Sequence, residues 1–309
     1  MNRVLAVLLF VGVVFLVGDP CFAAKEKPST GEPYIVGVLE NILDVEIGWT
    51  TPHVRVLFKK VGDRWASFPN VLDSDMGLEH VNDQYPDSVN WTVIFDGKSL
   101  GPLTSEKIKG VNAYCEVGVQ HISRGQKAPR IKIGASDFSY FLDNPSFSRP
   151  LLLASRPYFQ DPEKWKPAAL TTGEKKKALE QFEKIMPTFE GYFSGEGEPL
   201  QTMNYQDSDL RFKAAFKSKA GDLLVGLHIV KDQVRLPLYS DAFEPRWFVL
   251  RENGKIQYLG VATQPMEAAD LDQTGQSDWL FQNTGYDKDG YVLLYDGLTK
   301  AVTFSWIYH

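Results

Sequence analysis

Cysteine is nearly missing from this chain: Cys21 and Cys115 are the only two in 309 residues, so at most one disulfide can brace it. Long apolar runs are as scarce. Val4 to Val17 is one, of 14 residues, and a helix of that length rises about 21 Å against a hydrocarbon core of about 30 Å, too little to cross it. No second run reaches spanning length, so no permanent membrane span is expected. Positive charge is in deficit, 33 Lys and Arg against 39 Asp and Glu for a net charge of −6. Nucleic acid is therefore not an expected partner, because phosphate backbones are held by basic patches. The run Lys175-Lys176-Lys177 is offset by Glu174, Glu180 and Glu183, the balance of a solvated helix face.

Catalytic signatures are missing as well. There is no Gly-x-Ser-x-Gly elbow, no His-Glu-x-x-His zinc helix and no Gly-x-x-x-x-Gly-Lys phosphate loop, the patterns that would commit a chain to those chemistries. His53, His80, His121, His228 and His309 are scattered, which suits surface or hydrogen-bonded strand positions better than a general base. Asp207, Asp209, Asp241 and Glu244 would serve a glycosidase only if two of them faced each other across about 5 to 9.5 Å, which sequence does not fix. No residue is assigned to catalysis or to cofactor binding, and the absence of a pattern argues against an enzyme.

What is present begins with an export signal. Arg3 supplies a basic start, Val4 to Val17 an apolar core, and Phe22-Ala23-Ala24 small residues for cleavage, the three parts of a secretory signal peptide over 1–24. A periplasmic or extracellular location follows. Removing 1–24 deletes Arg3 and Asp19, one charge of each sign, so the net charge stays at −6. It also deletes Cys21, which leaves Cys115 alone, read as a buried strand thiol. Lys25 to Pro33 reads as a tether.

The remainder is dominated by short strand-like runs, among them His53–Phe58, Trp91–Phe95, Ala113–Val119, Leu223–Val230 and Trp247–Arg251. Asp96-Gly97, Asn253-Gly254, Asp289-Gly290 and Asp296-Gly297 favour tight hairpins between such runs. The expected fold is mainly β, built of antiparallel hairpins, either β-propeller-like or two packed β units: an N-terminal unit over 34–160 and a C-terminal unit over 201–309. Between them, 161–200 reads as a connector carrying one inserted α-helix near 172–186. A capping box from Thr171 to Glu174 opens that helix, Leu179, Phe182, Ile185 and Met186 recur at helical spacing, and Pro187 ends it. The Gly- and Pro-bearing stretch Glu190 to Leu200 reads as an exposed loop and domain boundary.

The most informative segment is Asp270-Leu271-Asp272-Gln273-Thr274-Gly275-Gln276-Ser277-Asp278. Calcium takes about six to eight oxygen ligands, and alternate donors bent around a glycine suit it. Asp270, Asp272, Thr274, the carbonyl of Gln276 and Asp278 are the candidate metal ligands, with Gly275 at the bend. Phe281 stands where an EF-hand needs its glutamate, and no amphipathic helix flanks the segment, so it is not an EF-hand. An Asx-turn, with Asp270 or Asp272 capping its own backbone and no metal, fits the same residues. A second acidic cluster, Asp73, Asp75, Gly77, Glu79 and His80, has alternating donors that could hold a metal, a transition metal better than calcium because of His80, and otherwise reads as a solvated loop.

Asp270, Asp272, Gly275 and Asp278 match the Asp-x-Asp-x-Asp-Gly-x-x-Asp loop of FG-GAP or integrin-alpha-like β-propeller repeats, also found in VCBS-type secreted proteins. The segment from about 257 to 309 resembles one such repeat, with Thr274 departing by offering a hydroxyl in place of a carboxylate. The resemblance implies a structural Ca2+ in an inter-strand loop. The function expected is an exported, non-catalytic, calcium-stabilised binding or scaffold module with a protein or glycan partner. The alternative is a secreted hydrolase acting on carbohydrate, with calcium structural.

Overall fold

Apolar side chains at every second position give a strand one buried face, and where both faces are covered the run becomes continuously apolar. Both patterns occur here. The computed structural model describes residues 33–44, 49–70, 77–109, 114–129, 150–156, 160–193, 199–232, 234–237, 240–285 and 288–307. The signal segment, most of the tether, and Asp73 and Asp75 lie outside them. Pro33–His309 makes one compact unit, mainly β and antiparallel throughout.

Six strands close a barrel in the ring order β1-β2-β6-β5-β4-β7. They are β1 (Ile35–Asp44), β2 (Trp49–Val61), β4 (Ser88–Phe95), β5 (Lys98–Lys107), β6 (Val119–Ile122) and β7 (Leu151–Ala154). A short β3 (Arg64–Ser67) extends β2 as a hairpin, and a six-residue helix α1 (Leu78–Asp83) precedes β4. Closure needs bends, and β1 bulges between Val36 and Gly37. A Cβ at Gly37 would stand 2.6 Å from the Arg55 carbonyl oxygen and 3.2 Å from the Trp91 ring, so only glycine fits this approach. Inside the wall, Trp91 Nε1 donates to Ser105 Oγ at 2.7 Å, Ser105 Oγ donates to Gln120 Oε1, and Gln120 Nε2 donates to the Pro86 carbonyl. This chain satisfies buried polar groups on β4, β5 and β6.

After the barrel come β8 (Lys166–Pro167), α2 (Thr172–Ile185), β9 (Phe189–Phe193) and β10 (Gln201–Met203). Next are β11 (Leu210–Lys217), β12 (Leu223–Ile229), β13 (Val234–Arg235), β14 (Arg246–Leu250) and β15 (Ile256–Val261). A last meander follows, β16 (Gln264–Ala269), β17 (Asp278–Gly285), β18 (Lys288–Tyr295) and β19 (Lys300–Ile307). The middle sheet is ordered β15-β14-β12-β11-β8, the C-terminal sheet β16-β17-β18-β19, and β10-β9-β13 form a small third sheet.

These units stack through alternating residues. Leu280, Tyr291, Leu293 and Phe304 of the C-terminal sheet join the barrel core. Their neighbours Trp279, Phe281 and Leu294 point the other way, onto Phe216, Leu224, Trp247 and Val249 of the middle sheet. The opposite face of that sheet, with Val225, Leu227 and Phe248, meets Ala178 and Phe182 of α2 and Met186 at its C-cap. The order is barrel, sheet, sheet, helix. The expected mainly β fold of antiparallel sheets is what the chain forms, with cores shared between its layers.

The helix opens on the expected capping box, Thr171 with Glu174. Its buried face is Ala178, Phe182 and Met186, whereas Ile185 is 39% exposed. Three local expectations are corrected. Asp289-Gly290 is not a turn but lies within β18, opposite Thr284 and Asn283. A Cβ at Gly290 would sit 2.4 Å from the Phe304 carbonyl, so glycine serves close strand contact there, not chain reversal. Cys115 is not on a strand but in a single 3-10 turn, Tyr114–Glu116, and is half-buried. Of the expected loop Glu190 to Leu200, residues 190–193 belong instead to β9, which pairs antiparallel with β10, and 194–198 lie outside the described residues.

Candidate functional site

The acidic loop joins β16 to β17, closed by the pair Ala269 and Asp278. No helix flanks it. Asp270 is buried, and its carboxylate caps the loop: Oδ1 accepts from Thr274 N at 2.9 Å and Oδ2 from Gly275 N at 3.0 Å. The backbone turns at Gln273 (φ 61°) and Gly275 (φ 79°). Asp272 Oδ1 accepts from the Thr274 hydroxyl at 2.7 Å, and its Oδ2 pairs with Lys60 Nζ at 2.8 Å. Lys60 is on β2, so the barrel reaches into the loop. The Gln276 side chain lies beside Gly297.

Asp278 is the odd member. It is 1% exposed; Oδ2 accepts from Leu271 N at 3.0 Å, and Oδ1 is buried with no hydrogen-bond partner. Burial, and then the charge of Asp272, push its carboxyl up to about 8, with Asp270 adding to the effect and the Leu271 N–H and Lys60 opposing it. Tyr34, just before β1, has a buried hydroxyl that also lacks a partner. Burial and the carboxylates of Asp278, Asp270 and Asp272 raise it beyond the ordinary phenol range. Two buried oxygen atoms without partners therefore lie here, the Tyr34 hydroxyl beside all three acids and Asp278 Oδ1 beside the other two, which is costly unless a donor or cation offsets it.

The structure thus brings Asp270, Asp272 and Asp278 together, with Thr274 tied to the first two. In this arrangement the Asp270 and Asp272 oxygens are turned to backbone N–H groups, the Thr274 hydroxyl and Lys60. Among the described residues no group of three or more His, Cys, Asp or Glu side chains is disposed to hold a metal ion.

Beside the loop lies a cleft of about 430 Å³. Its apolar lining includes Trp165, Phe216, Met266 and Trp279, and Lys164 and Lys166 add charge. Trp279 meets Trp165 at 5.7 Å and Phe216 at 5.3 Å between ring centroids, both edge to face. Asp161 organises one wall. Its carboxylate accepts from the backbone N–H groups of Glu163, Lys164 and Trp165 and from the Ser277 hydroxyl. Lys164 is held at φ 54°, an uncommon conformation for a residue with a side chain. Across the cleft, Glu267 accepts from the N–H groups of Asp96 and Gly97 in the β4–β5 turn. The cleft wall is tied to the acidic loop twice, by Ser277 to Asp161 and by Asp270 N donating to the Gln160 carbonyl at 3.1 Å.

A third polar cluster is fully internal. Glu40 accepts from Arg55 Nε at 3.0 Å and from the Tyr291 hydroxyl at 2.6 Å, with His53 Nε2 at 3.3 Å. Burial would raise Glu40, but Arg55, His53 and Tyr291 together outweigh it and hold the carboxyl down to about 2. Arg55 also donates to the carbonyls of Cys115 and Val117 and lies 3.8 Å over the Trp306 ring. This ion group joins β1 and β2 to β18 and β19.

Sequence reading missed the cleft and the internal ion group. The latter had a signal, since His53 and Arg55 put polar groups on alternate positions of an otherwise apolar strand. The former had none, because its walls come from five separate segments. None of Asp207, Asp209, Asp241 and Glu244 lines the cleft, and Asp241 is instead paired with Arg246. No described helix is long and apolar enough to cross a membrane. No protein-family model, curated protein or solved structure matches the chain, so the likeness to FG-GAP loops rests on the loop residues alone.

Proposed function

We propose that the chain is an exported, non-catalytic β module that binds a protein or glycan partner, and that its Asp270–Asp278 loop takes up calcium. The single observation that supports the metal is the buried, unpartnered Oδ1 of Asp278 beside Asp270 and Asp272. A divalent cation would offset the carboxylate charge gathered there, and the donor set, carboxylate and hydroxyl oxygen, is the hard one calcium prefers. Asp270, Asp272 and Asp278 would hold the ion, with Thr274 and the Gln276 carbonyl contributing. Uptake requires Asp270 and Asp272 to exchange their present partners for the metal. With a hydroxyl at Thr274 where the resembled loop has a carboxylate, affinity would be modest and suited to a calcium-rich exterior. The non-catalytic reading is supported by the cleft carboxylates Asp161 and Glu267, which are engaged with backbone N–H groups.

The Lys60–Asp272 pair favours a second reading, a metal-free loop in which the ammonium of Lys60 balances the acids and Asp270 caps an Asx-type turn. Thermal unfolding in calcium and in chelator separates the two. Saturating calcium at about 100 times Kd should add about 2.7 kcal/mol. For a chain of this size that is roughly 5 °C or more in Tm. The shift should vanish in Asp270→Ala and Asp272→Ala. An equal Tm in calcium and chelator would sink the calcium reading and leave the lysine-clipped loop.

A further inference from the structure

We propose that Lys60 is a tethered cation seated in the acidic loop, one that a metal ion must displace, so that the barrel regulates calcium uptake by the loop. The inference rests on the reading of Asp270–Asp278 as a calcium site and names what controls it. Lys60 lies near the end of β2, opposite Trp65 of β3, and its backbone N–H donates to the Tyr34 carbonyl at 2.8 Å. That pairing holds its ammonium against the loop, 2.8 Å from Asp272 Oδ2. The Asp272 side chain is 4% exposed and that of Lys60 17%, so solvent screens this pair far less than a surface one. The nearby Arg156 lies over the Tyr34 ring, 5.1 Å from its centroid; the ammonium that meets a loop carboxylate is that of Lys60.

A lysine fills this seat incompletely. Its ammonium has three N–H donors, and the loop oxygen that receives one is Asp272 Oδ2. Asp278 Oδ1 and the Tyr34 hydroxyl, both buried beside the acids, keep no partner among the described residues. Those two atoms point to a cation and not merely to an acidic turn, because a divalent ion collects about six to eight oxygens and can satisfy what one ammonium cannot. The exchange also leaves the lysine a place to go. Lys60 Nζ stands 5.3 Å from the centroid of the Trp65 ring, within cation–π range, so the released ammonium keeps a partner while Asp272 turns to the metal. A competitor carried on the chain itself weakens apparent affinity according to the fraction of time that the seat is open. A loop closed by Lys60 about nine-tenths of the time would bind calcium about tenfold less tightly than the same loop without it.

The test titrates calcium calorimetrically into the chain without residues 1–24, as parent, Lys60→Gln and Lys60→Arg, and melts each in calcium and in chelator. Glutamine is neutral and keeps an N–H for Asp272; arginine keeps the charge. Lys60→Gln should bind calcium about tenfold more tightly than the parent, and in chelator it should melt lower, because Asp272 has lost its counter-charge. Lys60→Arg should bind no more tightly than the parent. If the glutamine variant does not fold in chelator, Lys60→Met, neutral and with a stem of similar length against Trp65, carries the same expectation. Equal affinity in the parent and the neutral variant overturns the lock and leaves the calcium site standing. So does Lys60→Arg binding as tightly as Lys60→Gln, since charge would then not be what competes. Absence of calcium heat in all three removes the metal and the lock together. A neutral variant that binds calcium where the parent does not supports the lock and assigns the metal-free loop to the parent.

Discussion

Asp289 stands on β18 one residue pair from the internal ion group, and its carboxyl is raised from 3.8 to about 6, by burial first and then by the charge of Glu40. The folded chain therefore holds a proton there that the unfolded chain releases. That stabilisation is complete below pH 3.8 and lost as the pH rises through 6. Glu40 acts in the opposite sense. With its carboxyl lowered from 4.5 to about 2, its contribution is present above pH 4.5 and lost as the pH falls toward 2. Asp289→Asn mimics the protonated form, so it should match the parent near pH 4 and exceed it at pH 7. A discount for partial solvent exposure leaves a gain of about 1 to 2 kcal/mol from the shift. Urea unfolding of both chains at the two pH values measures this, and a variant less stable than the parent at pH 7 would refute it. At this scale the sequence was partly legible. The acidic loop could be singled out from spacing, and the structure does gather Asp270, Asp272 and Asp278. Lys60, which lies 212 residues from Asp272, could not, because only the fold brings β2 to that loop.

Elements were more readable where local chemistry decides them. The α2 start was legible because a capping box is a local pattern, and it forms with Glu174 N donating to Thr171 Oγ1 and Thr171 N donating to Glu174 Oε2. Thr171→Ala leaves first-turn N–H groups without their acceptor and should cost about 1 kcal/mol. That corresponds to roughly 2 to 4 °C in Tm. Lys176→Ala, on the exposed face in a solvated pair with Glu180, should leave Tm unchanged. Equal effects from both would mean that the cap is not what starts the helix. The buried stripe was read less well. Ile185 fits the apolar period but faces out, and the smaller Ala178 is buried against the middle sheet, because the sheet beneath fixes the angle of contact. Asp289-Gly290 failed for a related reason. An Asp-Gly pair suits a turn, yet β19 approaches so closely that glycine is needed inside the strand. Neighbouring strands, which set that demand, are absent from a local reading.

The order of layers is a property of the whole chain and was the least legible feature. The last strands in sequence, β16 to β19, occupy the middle of the stack, with one face on the barrel and the other on the middle sheet. Their alternation shows two buried faces but not what covers each. This placement makes the barrel dependent on residues more than a hundred positions away. Leu280, Tyr291, Leu293, Phe304 and Trp306 complete its core, and Tyr291 with Trp306 closes the ion group around Glu40 and Arg55. A fragment spanning 33–156 would expose that apolar face and leave Glu40 and Arg55 without Tyr291 and the Trp306 ring. It should therefore lack a cooperative thermal transition and bind a hydrophobic dye, the behaviour of a loosely packed state. The chain from 33 to 309 should unfold in one transition reported alike by far-UV and near-UV dichroism, as expected of layers that share their cores. A fragment that melts cooperatively within a few degrees of the longer chain, without dye binding, would show that the barrel is complete by itself. The C-terminal sheet would then be an addition to the barrel and no part of its core.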